Sequence, residues 1–121
     1  MDQSFDDVVD QHFRDVVAPA LQRVADAVGT QFAPPLSVIQ KDGPTQPPDD
    51  YIVNGNRRVI LRVEDVVELW FVAWDPFVLI QNRRGQVGSP PRLHTLGQLT
   101  PNDVRGMATK FLSGVRAPAM P

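Results

Sequence analysis

The chain has 121 residues, 42% of them hydrophobic and 21% charged, with 12 prolines and a formal charge of −2. That is about one domain's length, with enough apolar content for a core of its own. There is no cysteine, which excludes disulfides, thiolate metal sites and cysteine nucleophiles and suits a reducing compartment. The charge is uneven: residues 1–50 carry −6 and residues 51–121 carry +4. Attraction between the two parts within one fold is the simplest use of that division.

The amino terminus, Met1-Asp2-Gln3-Ser4-Phe5-Asp6-Asp7, is acidic where an export signal is basic, so a cytoplasmic protein is expected. Ser4 with Asp7 three residues on is an N-cap signal. Phe5, Val9, Phe13, Val16, Ala20, Val24 and Ala27 recur at helical spacing, widened by Val8, Val17, Leu21 and Val28. This predicts an amphipathic helix to about Val28, ended by Gly29. Pro19 inside it cannot donate to the carbonyl four residues back, which predicts a kink over residues 15–18.

Residues 36–40 are β-prone, and a proline-rich loop follows. Asn54-Gly55 predicts a hairpin between strands at residues 51–53 and 57–63. "VVELWFVAW" and "FVLIQN" predict two further strands about a turn at Asp75-Pro76, and Arg83-Arg84-Gly85 predicts another turn. Residues 86–100 read as a loop tethered by Leu93, Leu96 and Leu99. Thr100, Pro101 and Asp103 then open a helix whose apolar face is Val104, Met107, Ala108, Phe111, Leu112 and Val115. The predicted fold is α+β: a kinked N-terminal helix, an antiparallel meander sheet of four to five strands and a short C-terminal helix. Residues 1–115 form a single domain and residues 116–121 a flexible tail.

The 15 residues from Val66 to Ile80 contain both tryptophans, but Glu68 and Asp75-Pro76 break them and they fall short of the ~20 needed to cross a bilayer. Alternation in the first strand puts Leu69, Phe71 and Ala73 on one face and Trp70, Val72 and Trp74 on the other, so both faces are apolar. Two helices packed on one face leave the other for a partner, a second copy or the chain's own loop.

The chemistry-bearing residues are sparse. His12 with Asp15 is too small a set for a metal. His94 is a candidate base for an enzyme pocket, yet no serine lies in a Gly-x-Ser-x-Gly setting and no glycines follow a phosphate-binding spacing. No catalytic residue, metal, cofactor or small-molecule ligand is indicated. Arg57, Arg58, Arg62, Arg83, Arg84 and Arg92 share a region with the tryptophans, a combination that also serves single-stranded nucleic acid, though the pI of about 5.5 argues against it. Size, acidity and element order resemble the small secretion chaperones at the level of fold order alone, without the middle helix expected of them. The expectation is a small non-catalytic bacterial or phage adaptor, such as an inhibitor, immunity protein, secretion chaperone or assembly component. It would contact a protein partner or a second copy through Trp70, Val72 and Trp74, rimmed by Arg57, Arg58, Arg83 and Arg84.

Overall fold

In a computed structural model of the chain, residues 4–28, 36–45, 55–63, 67–85 and 87–116 are described. Ser4 opens the first helix as its spacing to Asp7 predicts: its hydroxyl accepts from the Asp7 amide at 3.2 Å, and Asp6 and Asp7 lie at the positive end of the helix dipole. Helix α1 (Phe5–His12) runs into a π segment (Phe13–Val17) and then into α2 (Ala18–Val28). The π segment is the predicted kink. Pro19 has no amide hydrogen for the Asp15 carbonyl, and its ring would press on that carbonyl in a regular helix. Instead the Ala18 amide bonds to the Phe13 carbonyl five residues back, which widens the turn by one residue. That insertion re-phases the apolar stripe. Val9, Phe13, Val17, Leu21, Val24 and Ala25 are buried, whereas Val16 is half-buried and Ala27, predicted inside, is exposed.

The strands are β1 (Ser37–Lys41), β2 (Arg58–Val63), β3 (Val67–Trp74), β4 (Phe77–Arg84), β5 (Val87–Gly88) and β6 (Arg92–His94). They form one antiparallel sheet in the order β1-β2-β3-β4, with β5 and β6 both paired to the far edge of β4. The fold is α+β, as predicted. The strand predicted at residues 51–53, with Asn54, lies outside the described residues. The neighbours of β2 are β3 and, across the long loop, β1, where Ile39 faces Ile60.

Backbone contacts close the described ends of that loop. The Arg57 amide donates to the Pro44 carbonyl at 3.0 Å and the Asp75 amide to the Thr45 carbonyl at 2.8 Å, while buried Asn56 donates to the Ala73 carbonyl at 2.9 Å. Gly43 meets Gly55 so closely that a Cβ on Gly43 would lie 1.9 Å from the Gly55 carbonyl oxygen. Only glycine fits there.

Within the predicted loop, residues 87–100 are more structured than a tether requires. Gly85, at φ +59°, makes the turn into β5, and the Ser89 amide and hydroxyl bind the Asn82 backbone. Arg83 faces Gly88 and Ile80 faces Arg92, so three residues, Ser89, Pro90 and Pro91, oppose two, Gln81 and Asn82. This is a bulge, and it gives two prolines a place on an edge where no amide is needed. The predicted tethers divide. Leu99 is fully buried and Leu96 packs on the core, but Leu93 is 53% exposed because β6 turns it to the face away from the helices.

Helix α3 (Pro101–Arg116) starts as predicted, with the Asp103 amide donating to the Thr100 hydroxyl at 3.2 Å and the Thr100 amide to the Asp103 carboxylate at 3.3 Å. It runs one residue into the predicted tail, and the remaining residues 117–121 lie outside the described ones. All the helices pack on one face of the sheet, where Val9, Phe13, Val17, Leu21, Val104, Ala108, Phe111 and Leu112 meet Val59, Leu61, Leu69, Phe71 and Val78. His12 fastens this layer: its Nε2 lies 2.8 Å from the Leu99 carbonyl, to which it donates. Among the described residues, no helix is long and apolar enough to cross a membrane.

Candidate partner-binding site

The alternation predicted for β3 holds. Leu69, Phe71 and Ala73 face the helices, and Trp70, Val72 and Trp74 face the other way with Ile60, Leu79 and Ile39. That second face is not left bare. Val72 has no exposed surface, Ile60 has 2%, and Leu79 and Trp70 have 6% each; Trp74 is half-buried. Trp70 is enclosed by its own sheet. The guanidinium of Arg83 lies 4.3 Å from its ring centroid and that of Arg58 lies 5.1 Å away. The indole nitrogen donates to Glu68 at 2.9 Å, and the other Glu68 oxygen accepts from Arg62 at 2.7 Å. Burial lowers the Arg58 pKa from its ordinary value; Glu68 works against that shift and Arg83 adds to it.

The four arginines expected to form one rim are divided by the same alternation. Arg57, one residue before β2, points to the helix side and pairs with Asp6 at 3.4 Å and with Asp10. This is the attraction between the acidic and basic parts of the chain that the charge division suggested. Arg58 and Arg83 lie on Trp70. Arg84, opposite Val67, faces the helix side and is exposed.

Arg84 belongs to a different feature, a groove of about 760 Å³ between α3 and the wing formed by β4, β5 and β6. It exists because the helices cover β1 to β3 more fully than the last strands. Val67, Leu69 and Ile80 of the sheet and Met107, Phe111 and Val115 of α3 make an apolar floor. Around it stand Arg84, Arg92, Lys110 and His94, Arg83 lining it with its guanidinium turned to Trp70, and no Asp or Glu is among the described residues that line it. Three permanent cations, Arg84, Arg92 and Lys110, therefore gather in a chain whose net charge is −2. They also lack acids of their own. Arg14, Arg57 and Arg62 each pair with a carboxylate, but Arg84, Arg92 and Lys110 have no ion pair among the described residues. Val87, 72% exposed, lines the groove, whereas Leu93, 53% exposed, is on the wing's other face.

Lys110 was missed by sequence reasoning, since an exposed helical lysine carries no local signal. Arg92 and His94 were noticed for other chemistry. Period-two alternation, applied to Arg83-Arg84 as it was to the tryptophans, would have placed Arg84 beside Leu69 and Ile80 rather than beside Trp70. Among the described residues, no three of His, Asp and Glu come together to hold a metal ion. The chain matches no known protein family, and no curated protein or solved structure matches it either.

Proposed function

We propose that the protein is a non-catalytic adaptor that binds another protein, and that the groove between α3 and the β4–β6 wing is its contact surface. The carrying observation is a groove whose apolar lining includes the 72%-exposed Val87 and the half-buried Met107 and Val115, while the tryptophan face is largely occupied by its own residues. Trp70 and Val72 then act as core that shapes the sheet, and of the three apolar residues first expected at the contact only Trp74 keeps appreciable surface. Base stacking finds less support: the Trp70 ring is covered by guanidinium groups, and Phe111, the aromatic residue lining the groove, is 8% exposed. A cytoplasmic setting suits a chain without cysteine.

The test is a photo-crosslinking amino acid placed at Val87, with Lys41 on the opposite sheet edge as control. Discrete protein adducts from position 87, lost when Gly114 is changed to tryptophan, support the reading. Gly114 lines the groove, and a Cβ there meets nothing within 4 Å, so the larger side chain fills the groove without a clash at its base. Equal adducts from position 41, or none from 87, would sink it.

A further inference from the structure

We infer that the groove's occupant is an acidic segment of a partner protein in which carboxylates alternate with apolar side chains; this rests on the adaptor reading and specifies its partner. The lining has two chemistries in separate places. The apolar surface is the exposed Val87 and the half-buried Met107 and Val115 over a buried base of Leu69, Ile80 and Phe111, and the surrounding positions are Arg84, Arg92 and Lys110, exposed and without acids among the described residues. An occupant that buried only apolar surface would leave three cations partly desolvated beside it, with nothing to compensate. One that carried only charge would leave Val87, Met107 and Val115 uncovered. Carboxylates placed against Arg84, Arg92 and Lys110 satisfy the first condition, and guanidinium groups favour them through paired hydrogen bonds.

The shape of the molecule narrows the choice further. A small amphipathic anion needs a site that buries most of its surface, whereas Arg84, Val87, Arg92, Lys110 and Gly114 are all exposed along this groove. Single-stranded nucleic acid would find little ring surface to stack on, since Phe111 of the lining is 8% exposed. A second copy pairing edge to edge is obstructed on the wing by the bulge and by Pro90-Pro91.

The experiment is fluorescence anisotropy on the full chain with four labelled probes: a short peptide alternating glutamate and leucine, the same peptide with lysine for glutamate, a fatty acid, and an oligothymidylate. The glutamate peptide is expected to bind alone among them, and to weaken as salt is raised. The double variant Arg84→Glu/Arg92→Glu should weaken it by about tenfold or more, with Lys41→Glu unchanged as a control outside the groove. If the lysine peptide binds equally well and Gly114→Trp removes both, the groove binds proteins but acidity is not read, and the inference fails while the adaptor reading stands. Tighter binding of the fatty acid or the oligonucleotide, or an Arg84-dependent dimer by light scattering, overturns the inference in favour of that occupant. Binding of the glutamate peptide that is indifferent to both the Arg84→Glu/Arg92→Glu pair and Gly114→Trp overturns the inference and the groove together.

Discussion

Trp70→Ala should unfold much of the protein's margin of stability rather than trim a docking surface. The ring is 94% buried within a small cluster with Ile60, Val72 and Leu79. An indole removes roughly 150–250 Å² from water, worth about 4–6 kcal/mol at ~25 cal/mol per Å². Measured large-to-small changes fall at about 3–5 kcal/mol, because the site partly collapses. The two guanidinium contacts add little to this figure, since Arg58 and Arg83 regain water when the ring goes. Against a total of about 5–15 kcal/mol, a loss near 4 kcal/mol lowers the urea midpoint by about 2 M at a slope of ~2 kcal/mol per M. Trp70→Phe keeps most of the packing and loses the 2.9 Å bond to Glu68, so it should cost about 1–2 kcal/mol. Equilibrium urea unfolding followed by circular dichroism measures both. A midpoint shift below about 0.5 M for Trp70→Ala, at unchanged slope, would refute the reasoning and return the tryptophan to the list of surface anchors.

Other outcomes follow from single contacts. Gly43→Ala should cost about 1–3 kcal/mol, because its Cβ would meet the Gly55 backbone, which cannot yield as a side chain would; chemical denaturation reads it directly. Gly106→Ala, in the exposed middle of α3 with open space around it, should instead stabilise by about 0.5–1 kcal/mol and raise the melting temperature by a few degrees. Thr100→Ala removes the hydroxyl that accepts the Asp103 amide and should cost about 1 kcal/mol, with Thr100→Ser largely preserving stability. Replacing Arg57 with methionine takes from Asp6 its cation and leaves Asp10 with Arg14 alone, and hydrogen exchange should rise first in α1.

Much of the architecture was legible because it follows from local rules. Ser4 and Thr100 announce their helices through hydroxyls that accept backbone amides, and the alternation of Leu69 to Trp74 divides the two faces correctly. Pro19 was legible as a break, but its form was not: a π turn adds one residue, and that shift exchanges Ala27 for Ala25 in the core. Non-local contacts were hidden for a physical reason. The pairing of β1 with β2 and the approach of Gly43 to Gly55 depend on how a long loop closes, which no short-range preference encodes. The groove is hidden in the same way. Its floor draws on β3, β4 and α3, and its cations on residues from Arg84 to Lys110, so no contiguous motif marks it. The arginine rim was misplaced because neighbours in sequence, Arg57 with Arg58 and Arg83 with Arg84, are on opposite faces of a strand.

The most direct test of the account is a map of amide shifts in the isotopically labelled full chain as the glutamate-leucine peptide is added. The account predicts saturable shifts at Gly88, Ser89, Arg92, Lys110 and Gly114, with Ile39, Ile60 and Val72 unmoved. Shifts centred on Ile39, Ile60 and Trp74, with the groove silent, would contradict it and make the tryptophan face the binding surface after all.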